Sequence, residues 1–538
     1  MSALLRQRLQ RDRLQLLLWI LGTAALAASA VGGAEQSYGT QRDRTEVLAA
    51  VMANPVILLF RGLPSGADRE AFTLFLILPF LALMAAFMST FLAVRHTRME
   101  EESARAELVG ATPAGRIAPL VATIVHGTAA DTALALVVAV VFLGAGFPPL
   151  GALVAGAAAG AVGLSFLAVG LVAGQLLRTS RAANSLAVWV LLLTFLIGGV
   201  GNALGTPSDD LQSITSSWLT WLSPFGWAEN TRPFADDAPW PLALCLIVAV
   251  ALGAAAVALQ SARDVGESLI PQRAGRVEAR ALLSSSTGLV WRLTWSSLVG
   301  WCIGGLVTGL LATSLASVID RVGTQIPAVE AVMAALSKNG SLQQGMVVIF
   351  FLIVGVLAAC AAVQTVCRAR QEEARGTAEA VRASPVGRVR WLADYLLVAF
   401  AGVVLVVASG VLGAVLGVAG SATDPTFRTD LVRDAAVSGG GQIAAASVYL
   451  VVTALVFVLA PRWTIGLGWT LVLAGVVLGL FGALFGLPDW VVSISPIADV
   501  PAVSGDTIDV KGLWWLILAS VAGAAASLTL MKRRELAA

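Results

Sequence analysis

Apolar residues in this chain fall in long blocks separated by short polar runs. The blocks lie near residues 14–32, 71–94, 118–145, 150–177, 184–204 and 240–260, and then 290–318, 346–366, 391–418, 441–460, 464–487 and 512–531. Each is close to the ~20 residues that cross a bilayer as a helix. Few alternate with the period of two that a membrane barrel requires. The pattern predicts an all-α integral membrane protein of about twelve transmembrane helices. Blocks 150–177 and 441–460 are rich in Ala with Gly or Ser, which suits close helix–helix contact in lipid.

Composition agrees. The 538 residues are 57% hydrophobic and 13% charged, against roughly 25% charged in a soluble domain, too little polar surface to cover a globule in water. The N-terminus imitates a signal peptide: Arg6, Arg8, Arg11 and Arg13, then an apolar stretch, then Ala28-Ser29-Ala30. The stretch from Leu14 to Val31 exceeds the roughly 7–15 residues of a signal core, so an uncleaved first helix is expected. Cys245, Cys302, Cys360 and Cys367 form no CxxC pair. His96 and His126 complete no common zinc spacing, so neither metal nor disulfide is expected.

Charge supplies a topology. Six plus six spans put residues 1–13, 95–117, 178–183, 261–292, 367–390, 461–463 and 532–538 on one side. These hold 25 Arg and Lys against 12 Asp and Glu, while the opposite loops hold 10 against 19. Positive residues stay cytoplasmic, so both termini are expected in the cytoplasm of a multi-pass plasma-membrane protein. The loops 33–70, 205–239, 319–345, 419–440 and 488–511 are expected outside.

An internal repeat follows. Residues 98–116 read RMEEESARAELVGATPAGR and residues 370–388 read RQEEARGTAEAVRASPVGR. Arg98, Glu100, Glu101, Glu107, Pro113, Gly115 and Arg116 match Arg370, Glu372, Glu373, Glu379, Pro385, Gly387 and Arg388 without a gap, at an offset of 272. Ser223-Pro224 recurs as Ser495-Pro496 at the same offset, and Trp19 recurs as Trp301 at 282. The chain therefore reads as two parallel six-helix halves: residues 1–260 with the segment 95–117, a cytoplasmic connector 261–288, and residues 289–538 with the segment 367–390. In each repeated segment Glu, Arg, Ala and Leu favour helix over 98–111, and Pro113 or Pro385 ends it. A solvated loop would not need seven residues at one spacing twice. A rigid charged helix suits a docking surface for a two-fold symmetric partner.

The pattern EE-x(5)-E-x(5)-P-x-G-R after the second span of each half resembles the coupling segment of type-2 ABC export permeases. The run Ser223-Pro224-Phe225-Gly226-Trp227, with Thr231-Arg232-Pro233-Phe234 and Trp240-Pro241-Leu242, resembles a fused two-half subgroup that exports polyketide-type antibiotics, such as the tetronasin-type systems, and other drugs. The resemblance covers nearly the whole chain; the second half keeps Ser495-Pro496 of that run. It implies a type V exporter-like fold and a transport subunit that is not itself an enzyme. It implies two copies of a separate ATPase subunit carrying ATP and Mg, and a hydrophobic or amphipathic small-molecule cargo. It makes Arg98, Glu100, Glu101, Glu107 and Arg116, with Arg370, Glu372, Glu373, Glu379 and Arg388, the ATPase-coupling candidates. Spans two and five of each half would line the path, which singles out Phe80, Met84, Phe87, Trp189, Phe195 and Asn202, with Trp469 and Phe481.

The residues themselves bear on this. No G-x-x-x-x-G-K-S/T phosphate loop occurs. The run Val437-Ser438-Gly439-Gly440-Gly441-Gln442 imitates an ABC signature but is expected in a flexible external loop. Phe80, Met84, Phe87 and Phe91 share one helical face, a stripe that could line a greasy pocket and equally could pack or face lipid. Asp131 is an intramembrane charge, with Val403 at its repeat position. A proton-coupled secondary carrier is the rival reading, with Asp131 its strongest candidate. A lipid-linked transferase is a further one, but the acids show no DDxxD-like cluster. Nothing points to nucleic acid.

Overall fold

The structure, a computed structural model, describes residues 2–52, 55–112, 115–264, 266–270, 283–322, 342–419, 425–481, 493–497, 499–504, 507–509 and 512–534. Twelve helices among them are long and apolar enough to cross a membrane. The chain divides into two compact units, Met1–Ala274 and Gly275–Ala538.

In the first unit the spans are Ser2–Ser37, Arg69–Arg95, Ala118–Gly144, Pro149–Leu176, Ser180–Ala203 and Leu242–Ala262. The fourth is the hub. Its Gly156 and Gly160 lie against the backbone carbonyls of Ala135 and Asp131 in the third span, and Gly170 lies against Thr90 of the second. Ser165 donates to the Cys245 carbonyl in the sixth at 3.2 Å. A side chain at those glycines would push the helices apart, so small residues supply the close packing that apolar burial cannot drive in lipid. Short helices Gln41–Met52 and Pro55–Phe60 follow span one, and Thr206–Pro207 pairs with Ile214–Thr215 after span five.

In the second unit the spans are Ser286–Val322, Leu342–Ala374, Arg388–Ala419, Pro425–Leu459, Thr464–Phe481 and Leu513–Arg533. Here the glycine contact joins spans seven and nine: Gly305 meets Val406, Gly309 meets Gly410, and Gly413 and Gly417 meet the carbonyls of Leu306 and Leu310. Thr313 donates to the Ala414 carbonyl at 2.9 Å in the same seam.

Span ten corrects one expectation. It begins well before residue 441, so Val437–Gln442 is helix and not a loop. Asp434, Ser438 and Gln442 are buried on one face. Gly439 packs on Val407 and Phe351, and Gly441 on Pro501. Tertiary contact at Gly439 and Gly441 offsets the ~1 kcal/mol helix penalty of each, while Gly440 faces open space.

Candidate functional site

Each repeated segment begins at the end of a second span. In the first half the chain leaves Arg95 through His96 and Thr97 and forms two short helices, Arg98–Glu102 and Arg105–Gly110. The single helix expected over 98–111 is broken at Ala104, which adopts φ 57°. In the second half Gly376, 272 positions on, adopts φ 74°, between Leu342–Ala374 and Thr377–Arg382. A left-handed residue re-aims the second piece in both halves. Gly376 takes that conformation freely, whereas Ala104 pays about 1–2 kcal/mol. Pro113 lies outside the described residues.

Arg98 and Glu101, expected on the docking surface, turn inward. Arg98 is 1% exposed. It donates to the Gly174 carbonyl at 2.9 Å, to Glu101 at 2.8 Å and to the Glu267 carbonyl at 3.0 Å. Glu101 in turn holds Arg263, the residue that ends the sixth span, through two hydrogen bonds of 2.5 and 3.0 Å. Arg263 also reaches the Gln175 side chain at 2.6 Å. Arg116 closes the ring on the Arg263 carbonyl and Asp264, where a helix C-terminus favours a cation.

The second half repeats the ring. Arg370 donates to Glu373 at 3.3 Å, Glu373 accepts from Arg534 at 2.6 Å, and Arg388 donates to the Arg534 carbonyl at 2.5 Å. Arg534 follows the twelfth span as Arg263 follows the sixth. Each segment is thus tied to the last span of its own half by an Arg–Glu–Arg–Arg brace. The sequence hid Arg263 and Arg534 because their surroundings, SARD and KRRE, do not match.

The remaining acids split. Glu100 pairs with Arg11 of span one and with Arg105 at 3.6 Å. Glu372 pairs with Arg368 at 2.7 Å. Glu102 accepts from the Ser180 backbone at 2.9 Å and caps span five. Glu107 and Glu379 stay exposed, one turn beyond the break, and Leu108 is 73% exposed beside Glu107. Arg116, nine residues on, pairs with Asp264 and not with Glu107.

The path candidates are also dispersed. Phe80, Met84 and Phe87 are half-buried. Phe87 stacks on Phe91 at 5.8 Å, and Phe91 approaches Trp19 of span one at 6.5 Å. That end of the stripe is packing. Trp189 and Trp469 protrude, 49% and 38% exposed, at matching places on spans five and eleven. Phe195 meets Phe225 edge-on at 5.3 Å, so the SPFGW run is a plug against span five. Ser223 donates to the Thr194 carbonyl at 2.7 Å, as Ser495 does to Gly475 at 2.8 Å, which explains why Ser-Pro recurs. Asn202 donates to Glu229, a buried acid outside the spans, at 2.5 Å. Burial pushes the Glu229 carboxyl up to about 8, and the Asn202 hydrogen bond opposes this more weakly. The Phe481 side chain lies outside the described residues. Asp131 is buried at the junction of spans two, three and four, where the Ser89 hydroxyl donates to it at 2.6 Å and Gly163 makes room for it.

The family described as multidrug efflux system permease Rv1217c, C-terminal domain, matches residues 3–259 and 283–532. The chain is 33% identical over 538 residues to the multidrug efflux system permease protein Rv1217c of Mycobacterium tuberculosis (strain ATCC 25618 / H37Rv), covering 99% of this chain and 94% of that one. With twelve apolar helices in two units that each carry the same brace, the chain belongs to this family of multidrug efflux permeases, in the fused two-half ABC-type form.

Proposed function

We propose that this permease is the membrane-spanning subunit of an ATP-driven exporter that moves hydrophobic or amphipathic small molecules out of the cell. ATP and Mg sit on two copies of a separate ATPase. Both termini and both repeated segments face the cytoplasm, in line with the excess of arginine there.

The observation that carries this reading is the brace built twice. A partner's movement can be passed into the bundle only through a part that does not give. The Arg–Glu–Arg–Arg ring fixes each segment to the end of a last span, and leaves Glu107 in one half and Glu379 in the other free to meet an ATPase protomer. Arg98, Glu101, Arg370 and Glu373 are then positioning residues, and Glu107 and Glu379 the contacts. The absence of a phosphate loop from the sequence fits ATP chemistry on another chain.

The test uses inverted membrane vesicles containing the permease with the ATPase that co-purifies with it. A lipophilic dye should accumulate on ATP addition, stop with vanadate, and be unaffected when the proton gradient is dissipated. Accumulation driven by an imposed pH gradient without ATP would make the protein a secondary carrier.

A further inference from the structure

Three residues far apart in sequence meet inside the first half. Asp12 lies on span one, His96 on the turn after span two, and His126 on span three. Their side chains are 1–3% exposed. Both imidazoles direct Nε2 at one atom, Asp12 Oδ2; the His126 distance is 3.2 Å and the His96 contact is closer. The rings stand edge to face, centroids 5.5 Å apart at 87°. One ligand atom from each residue lies within 4.8 Å of the other two. The expectation of no metal site weighed the four cysteines and the two histidines and left out Asp12, which is 84 and 114 positions from those histidines.

We propose that Asp12, His96 and His126 bind a divalent transition-metal ion of the zinc class. Two imidazole nitrogens and one carboxylate oxygen suit Zn2+ and exclude Mg2+ and Ca2+, which take oxygen ligands. Three protein ligands leave a fourth position open for water. Asp12 Oδ1 is buried with no hydrogen-bond partner among the described residues and lies 3.2 Å from the Arg95 guanidinium. That outer contact holds the carboxylate with Oδ2 toward the histidines. A cavity of about 590 Å3 reaches the site at His96 and Arg8, with Leu4, Glu100, Leu108 and Asp264 also on its wall; Asp12 and His126 do not line it. Arg8 and Arg95 add positive charge, which keeps affinity below that of a thiolate site; Glu100 on the same cavity wall offsets part of it.

The ion would clamp span one to the turn that immediately precedes Arg98, and it would do so in one half only. At the repeat offsets of 282 for span one and 272 elsewhere, the second half has Thr294, Arg368 and Val398, which cannot bind a metal together.

The test is metal binding by the whole purified chain, stripped with a chelator and then offered Co2+ or Zn2+. Wild type should take up one ion per chain, show the visible bands of nitrogen-ligated Co2+, and unfold at a temperature that rises with Zn2+ concentration. Asp12→Asn and His126→Gln should each lose the bands and the zinc-dependent rise while remaining monodisperse. Monodisperse wild type without stoichiometric uptake would overturn the proposal, because the trio is then a hydrogen-bonded network alone. So would variants that keep the ion, since the ligands would then lie elsewhere.

Discussion

In the first half the arginine that ends the sixth span reaches sideways to the Gln175 amide at 2.6 Å. In the second, its counterpart Arg534 lies over the Phe457 ring, 4.6 Å from the centroid. One guanidinium is held by a hydrogen bond, the other by a cation–π contact, both near the end of the fourth span of their half. The clamp between first and third spans differs too, in which span carries the acid. The first half uses Asp12 on span one and His126 on span three. The second reverses the direction: Asp394 on span nine accepts from Thr287 on span seven at 2.6 Å and pairs with Arg390 at 3.1 Å. What both halves keep is the Arg–Glu–Arg–Arg ring around the repeated segment. The lesson is that the constraint falls on holding the segment still, while each half finds its own means of joining helices.

The largest effect should come from removing the carboxylate at the centre of the ring. Glu101→Ala leaves Arg98 and Arg263 buried without their anion, a loss of about 3–5 kcal/mol. Glu373→Ala should cost less, because the Arg370 side chain is 24% exposed where Arg98 is 1%. Thermal unfolding in detergent ranks the two, and equal losses would mean that the rings are not unequally buried.

Glu229 offers the next difference, since Pro501 stands at its repeat position. Its folded value of about 8 exceeds the ordinary 4.5. Between those values the folded protein keeps a proton that the unfolded chain has released. The stability due to Glu229 is therefore full below pH 4.5 and falls as pH rises toward 8, by up to about 1.4 kcal/mol per pH unit. Glu229→Gln should flatten that slope in unfolding measured across the window, and a slope unchanged in the variant would place its cause elsewhere.

The smallest effect is expected from giving the first half the residues of the second. Ser89→Ala with Asp131→Val installs the pair found at Ala361 and Val403. Replacing both partners of a buried polar pair is close to neutral, within ~1 kcal/mol. Export should persist in the dye assay; its loss would give Asp131 a role in moving protons or cargo.

Much of this was legible in the sequence. The twelve spans follow from block length, and the repeat from seven matched residues. The ABC-signature imitation at 437–442 misled because glycine content marks a loop only when no neighbour packs against it, and here Phe351, Val407 and Pro501 do. The brace was half legible: Arg98 and Glu101 stood out, but whether they face a partner or Arg263 is decided by a contact across 162 positions. The Asp12–His96–His126 cluster was hidden for the same reason. Local spacing reports on one helix at a time, and these sites are built by three.

Under the proposed function, Glu107 and Glu379 pass ATPase movement to the two segments. The direct measurement is the charge-reversed double variant Glu107→Lys with Glu379→Lys, assayed for co-purification of the ATPase and for ATP-dependent dye export in vesicles. Both side chains are exposed, so the unfolding temperature should stay within a degree or two of wild type, while ATPase binding and export are lost together. A double variant that binds the ATPase and exports at the full rate would contradict the claim.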